Sequence, residues 1–296
     1  MAKNKILILG ASSYVGRALC NRLDRHDRIA TYRSTPIENA IFFDALTMDI
    51  TTILTSHPGI THAVILLGDT NPETCAAAPR QSHALNVTSI KDIIDTVTAY
   101  GIRVIFTSTE FVFDGNKGGY REDDQASPIL LYGLQKVAIE KHLIDQGKEY
   151  SILRLAKIYG STPGDGTLFT KWLDEIQNSS QSIKCAADQT FSPVHIDEVV
   201  SGIMKVIEHD SQGIFHLSGP QPYKRIDLLK MLLKIYVHYN SQRIEIIPCS
   251  IHDFKLQEKR PKDVSMMPDK LVAATGWEVR TPETHCEIIV RNHFKQ

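Results

Sequence analysis

The chain has 296 residues, 42% of them hydrophobic, which is enough to bury a large core and long for one layer architecture, so a large domain with a smaller one beside it is expected. Its 33 basic and 34 acidic residues are interspersed and leave a formal charge of -1, which excludes the basic arm or stripe of a nucleic-acid binder and points to a small-molecule partner. Five cysteines lie far apart with no Cys-x-x-Cys pair and the histidines are scattered, so reduced thiols in a cytoplasm are expected rather than a disulfide framework or a metal site, and no apolar run approaches a membrane span.

The first apolar run, Lys5 to Leu9, reads as a strand. The lysines before it do not make a signal peptide, because the run is too short and enters a glycine loop instead of a cleavage site. That loop, G-A-S-S-Y-V-G from Gly10 to Gly16, precedes a helix with Ala18, Leu19 and Leu23 on its apolar face. Strand, glycine loop and helix together suit a pyrophosphate held on backbone N–H groups at a helix start, which makes Gly10, Ser12, Ser13, Tyr14, Val15 and Gly16 candidate cofactor contacts. Gly10 permits the turn and Gly16 close packing, while Ser13 stands where the usual pattern has its middle glycine; a tight turn without a ligand is the alternative.

Arg28 to Tyr32 is the next strand, and it ends in Arg33-Ser34. An NAD site commonly has an acid at that point for the ribose hydroxyls, whereas a guanidinium can pair with a 2′-phosphate, so NADP(H) is favoured over NAD(H); otherwise Arg33 is a solvated arginine. A third strand, Ile41 to Phe43, ends in Asp44, a candidate contact for the adenine amino group. Ala63 to Leu67 is the fourth, and its end with the loop Gly68 to Pro72 would border the nicotinamide side of the crevice. A helix from about Arg80 to Ala99 places Leu85, Ile90, Ile93, Ile94 and Val97 on one face, with Asn86 beside them as a helix-surface amide or an orienter of Lys136 through backbone or water contacts.

Arg103 to Phe106 reads as a buried strand, so Ser108 and Thr109 fall where the strand ends and a crevice opens. Tyr132 and Lys136, four apart on a helix, share one face. A hydroxyl, a phenol and an ammonium then converge, a set suited to protonating an oxygen as hydride reaches its carbon: Thr109 holds the carbonyl, Tyr132 supplies the proton, and Lys136 lowers the phenol's pKa. The Tyr-x-x-x-Lys spacing alone occurs by chance on many helices, so it needs the other segments. Ser151 to Leu155 follows as a strand ending in A-K-I-Y-G.

The alternation of strands and helices over residues 1–160 indicates an α/β, doubly wound parallel sheet. After Gly160 the rhythm changes. Leu168 to Ile176 reads as a helix and Ile183 to Cys185 as a short strand; within 188–217 a helix capped by Asp197 and the strand G-I-F-H-L-S-G return to the main sheet. The remainder of 161–296, with Ile226 to Tyr239 and Ile244 to Ile247, builds a smaller lobe for substrate.

Together these segments resemble the extended short-chain dehydrogenase/reductases, most closely the dTDP-4-dehydrorhamnose reductase family. The resemblance rests on the Gly10 loop, H-A-L-N-V at 83–87, S-T-E-F-V-F-D-G at 108–115, Y-G-L-Q-K at 132–136, L-R-L-A-K-I-Y-G at 153–160, D-Q-T-F-S-P at 188–193, I-F-H-L-S-G at 214–219 and R-P-K-D-V-S-M-M-P-D-K-L at 260–271. It implies a Rossmann domain with a substrate lobe and puts the family's catalytic hydroxyl, acid and lysine on Thr109, Tyr132 and Lys136. Its acidic neighbour falls on Glu110, where Asp is more usual. The related 4,6-dehydratases carry an Asp-Glu pair after the hydroxyl; here Glu110 is followed by Phe111, which leaves elimination without its base. Lys157 stands where the family commonly has tryptophan, and its ammonium could bind a sugar hydroxyl or phosphate, or pair with a carboxylate.

The implied activity is NADPH-dependent reduction of a nucleoside-diphosphate-linked 4-keto-6-deoxyhexose by a cytoplasmic enzyme, with a homodimer expected by analogy with the family. Ser108, Glu110, Phe111, Lys157 and Arg260 are the candidate substrate contacts, with Arg260 for the diphosphate and Lys171, Lys184 and Arg225 behind it. A sugar-nucleotide epimerase on the same scaffold, or a non-catalytic NADP-binding regulatory subunit like that of methionine adenosyltransferase, are the rival readings.

Overall fold

Ile6–Leu9 (β1) is buried at all four positions, with Ile6 and Ile8 in one apolar core and Leu7 and Leu9 in another. A strand with an apolar residue at every position, divided with period two, must be covered on both faces, which is the signature of a parallel sheet inside an α/β fold. The computed structural model describes residues 4–178 and 181–295 and contains that sheet. Arg28–Tyr32 (β2), Ala40–Phe42 (β3), His62–Ile65 (β4), Arg103–Thr109 (β5) and Tyr150–Leu155 (β6) join β1 and the edge strand Gly213–Leu217 in seven parallel strands. The order runs from Gly213–Leu217 through β6, β5, β4, β1 and β2 to β3. After β3 the chain crosses back to lay β4 on the other side of β1, so a crevice opens beyond the carboxyl ends of β1 and β4, where Leu9 pairs with Ile65.

Helices Tyr14–Arg22 (α1), Thr51–Ser56 (α2), Pro72–Ala77 (α3), Pro79–His83 (α4), Ser89–Ala99 (α5) and Leu131–Gln146 (α6) accompany these strands. The single helix expected from Arg80 to Ala99 is α4 and α5 joined through a π-turn over Ala84–Thr88, an irregularity that apolar spacing does not register. Further on lie Leu168–Gln177 (α7), Ile196–Glu208 (α8), Arg225–Tyr236 (α9), Asp269–Thr275 (α10) and Glu283–His293 (α11). Residues from α2, α5 and α6 form one core with the sheet; residues from α1, α8 and α10 form the other, which also takes Met266 and Trp277.

A third core unites Trp172 and Leu173 of α7, Leu228 and Leu232 of α9, and Ile289 and Val290 of α11, with Ile183 and Cys185 between them. Strands Ser182–Ala186 and Glu245–Cys249 pair in parallel beside it. The N-cap of α8 is His195 rather than Asp197: His195 has extended backbone angles, its Nδ1 accepts from the Asp197 N–H at 3.2 Å, and the Glu198 carboxylate accepts from the His195 N–H. An imidazole thus does the work usually left to a hydroxyl or carboxylate, and Asp197 lies inside the first turn.

Candidate active site

Gly10 has a φ of +88° and an added Cβ there would meet the Leu67 N at 2.8 Å, so the turn brings β1 and β4 too close for any side chain. Gly16 is as constrained, with the Gly10 carbonyl 2.5 Å from its hypothetical Cβ. Ser13 sits at φ -67° and caps α1, its Oγ accepting from the Gly16 N–H at 3.1 Å, so this position has no need of glycine. Gly10, Ser12, Ser13, Arg33 and Leu67 line a crevice of about 220 Å³. The turn, the small capping hydroxyl and the helix start fit a dinucleotide's pyrophosphate.

Val15 and Tyr14 line the adjoining cleft, but the Tyr14 hydroxyl reaches past the crevice to Asp165. Asp44, expected to meet adenine, pairs with Arg33 at 3.3 Å, while half of the Arg33 side chain remains exposed.

At the end of β5, Thr109 is buried and its Oγ1 accepts from the Phe111 N–H, capping a short turn over Glu110–Val112. Thr109, Tyr132 and Lys136 all line one cleft of about 300 Å³ with Glu110, Phe111 and Lys157. Lys136 Nζ donates to the Thr107 carbonyl at 2.8 Å and lies 5.8 Å from the Tyr132 ring centre. Burial pushes the Lys136 ammonium down to about 8, with Glu140 acting against it. In place of the expected lowering, burial holds Tyr132 well above the ordinary tyrosine range, and the Thr109 hydroxyl offsets part of that.

Ser108 lines the same cleft, with its hydroxyl hydrogen turned to a carboxylate. Its Oγ donates to Glu140 Oε1 at 2.5 Å, and Glu140 is doubly bonded by Arg154 in an ion pair buried beneath the cleft. Sequence reading missed this pair, although a carboxylate four residues beyond Lys136 on the inward face of the helix was a signal for it.

Asn86 is buried rather than a helix-surface amide. Its amide accepts from the Asp69 N–H at 2.7 Å, donates to the Asp69 carbonyl at 2.8 Å, and donates to Gln135 Oε1 at 2.8 Å, so it fixes the loop after β4 to α6 and makes no bond to Lys136 itself. Glu110 is 5% exposed, and burial carries its carboxyl up to about 8 while its Oε2 accepts from the Lys157 N–H. Lys157, on the other side of that contact, is open to the cleft.

Phe111 and Lys157 also line a second cavity of about 590 Å³ between the sheet and the lobe. It presents Lys157, Lys171, Lys184, Arg225 and Arg260 against one carboxylate, Glu175, and so suits an anion of more than one charge. Arg260 is tied to Glu73 at the start of α3, leaving its other terminal nitrogen buried without a partner. Arg225 lies 5.6 Å over the Trp172 ring, a residue with no polar role legible in the sequence.

The family described as the RmlD substrate binding domain matches residues 4–293 of this chain. A dTDP-4-dehydrorhamnose reductase from Sinorhizobium fredii is 26% identical, over 74% of this chain and 77% of its own length. Methionine adenosyltransferase 2 subunit beta from Rattus norvegicus is 24% identical, over 76% of this chain and 70% of its own. Among solved structures, dTDP-4-dehydrorhamnose reductase from Bacillus anthracis in complex with NADP superposes with a TM-score of 0.80, covering 99% of this chain and all of that one at 20% identity, a likeness of fold.

Proposed function

We propose a function from one premise: the chain belongs to the family of the RmlD substrate binding domain. It acts as an NAD(P)-dependent oxidoreductase, with NADPH preferred to NADH, that reduces the keto group of a 4-keto-6-deoxyhexose linked to a nucleoside diphosphate. The Sinorhizobium fredii relative, a dTDP-4-dehydrorhamnose reductase, supports this choice of substrate. The observation that carries it is that the two cavities share Phe111 and Lys157 as lining residues, which supports a ligand whose diphosphate lies among the lysines and arginines and whose sugar lies by Thr109 and Tyr132.

The residues divide the work between binding and proton transfer. Backbone N–H groups of Tyr14 and Val15 at the start of α1 hold the pyrophosphate and Arg33 the 2′-phosphate, while Leu67 and the Asn86-anchored loop flank the nicotinamide. A reduced nicotinamide held there supplies the hydride. Thr109 aligns the carbonyl oxygen and donates to it as charge develops, and Tyr132, protonated at neutral pH as any tyrosine is, delivers the proton. Lys136 keeps a positive charge beneath the phenol and favours the phenolate that the transfer leaves behind.

A second reading has an observation of its own, the similarity over three quarters of this chain to a subunit beta of methionine adenosyltransferase 2. NADPH oxidation by the purified protein, measured against dTDP-, GDP- and UDP-linked 4-keto-6-deoxyhexoses with Tyr132→Phe alongside, separates the two. Turnover that disappears in the variant supports the reductase. Tight NADPH binding with no turnover on any sugar nucleotide overturns it in favour of a cofactor-binding subunit.

A further inference from the structure

Tyr14 is the first residue of α1 and follows Ser13, the N-cap of the helix that faces the cofactor crevice. Its hydroxyl donates to Asp165 Oδ2 at 2.8 Å, across 151 residues of sequence. Asp165 is flanked by Gly164 and Gly166 at φ +73° and +70°, so the loop there adopts a backbone that other residues rarely take. The other carboxylate oxygen, Oδ1, accepts from the Thr167 N–H at 2.9 Å and the Thr170 hydroxyl at 2.5 Å. Thr167 Oγ1 in turn accepts from the Gly160 N–H at 3.0 Å. Gly160 packs so closely that an added Cβ would fall 1.8 Å from the Tyr14 hydroxyl.

The far end of this chain of contacts is the basic cavity, which Gly166, Thr167, Leu168 and Lys171 line. At its near end, Ser13 and Tyr14 line the cleft of the catalytic trio. One carboxylate therefore receives a bond from the cofactor helix with one oxygen and organises the substrate loop with the other. Burial disfavours its charge, but the bonds from Thr170, Thr167 and Tyr14 together hold it below the ordinary aspartate range, so it stays an acceptor at neutral pH.

We propose that the Tyr14–Asp165 hydrogen bond couples the two halves of the site, so that a dinucleotide on the α1 turn orders the loop 161–167 and thereby tightens binding in the basic cavity. Tyr14 and Asp165 are positioning residues in this scheme and touch no reacting atom. The inference rests on the reading of the crevice as a dinucleotide site and the basic cavity as a nucleoside-diphosphate site. Linked sites of this kind raise each other's affinity by roughly five-fold or more.

Hydrogen exchange of the whole chain, with and without saturating NADP+, tests the first step without any sugar substrate. Exchange at the amides of Gly160, Asp165 and Thr167 is expected to slow on NADP+ binding in the wild type and to respond little in Tyr14→Phe, each protein at its own saturating NADP+ concentration. Asp165→Asn, which keeps an acceptor oxygen, should fall between. The second step is read from the affinity of dTDP, UDP and GDP with and without NADP+: the enhancement seen in the wild type should shrink toward one in Tyr14→Phe. Equal slowing in wild type and Tyr14→Phe, or none in the wild type, overturns the coupling. If exchange slows only when Tyr14 is present yet no nucleoside diphosphate binds, the coupling of the loop stands and the reading of the cavity is what fails.

Discussion

Lys136 Nζ stands 5.8 Å from the centre of the Tyr132 ring and directs its hydrogen bond to the Thr107 carbonyl at the end of β5. The strand thus sets the height of the ammonium and the helix sets its bearing on the phenol. With burial bringing Lys136 down to about 8, the ammonium is present below that pH and lost above it. Turnover measured from about pH 6 to about pH 10 is expected to fall on the alkaline side through about 8, and Lys136→Met should lose activity across the whole range. An alkaline limb unchanged in Lys136→Met would assign the titration to another group.

Arg33 and Asp44 form a partly exposed pair at 3.3 Å, so a 2′-phosphate must compete with a carboxylate for the guanidinium. Arg33→Ala should weaken NADPH by about 1.5 kcal/mol, the low end for a hydrogen bond to a charged group, and leave NADH nearly unchanged. Asp44→Asn should strengthen NADPH by a smaller amount, because it frees the guanidinium. Titration of both cofactors against both variants checks this, and equal losses for NADH and NADPH in Arg33→Ala would remove the 2′-phosphate role.

Gly133 follows Tyr132, and a Cβ there would lie 2.1 Å from the Phe111 carbonyl and 2.9 Å from Pro128 Cβ. No rotamer relieves a clash with backbone, so Gly133→Ala must push α6 away from the turn that carries Thr109. A destabilisation of about 1–3 kcal/mol is expected in urea unfolding, with a loss of turnover larger than that of NADPH affinity. A variant of wild-type stability and rate would mean that α6 is not seated as described.

What the sequence made legible follows from where the information lies. Strands covered on both faces appear as unbroken apolar runs, and Gly10, Ser13, Gly16, Tyr132 and Lys136 are local patterns of a few residues, so the sheet, the cofactor turn and the helical pair could all be read. The bond of Ser108 to Glu140, 32 residues away, and that of Asn86 to Gln135, 49 away, were not legible. Side-chain pairings between elements leave no period in the sequence. The return of Met266 and Trp277 to the core of the main sheet is of the same kind, since an apolar residue does not say which core will receive it.

Glu110 gives the last prediction. Burial raises its carboxyl from 4.5 to about 8, so between those values the folded protein holds a proton that the unfolded chain has released. Folding stability from this group is therefore fully present below about pH 4.5 and is lost as pH rises through about 8. The Lys157 ammonium acts against the burial and makes that loss smaller. Glu110→Gln carries no proton to release, so its urea stability should decline less between about pH 5 and about pH 8.5 than that of the wild type. Its Lys157 N–H contact can survive through the amide oxygen, which keeps the local turn intact. Parallel stability curves for the two proteins would show that Glu110 is already ionised in the folded state, with the Lys157 ammonium close enough to outweigh its burial.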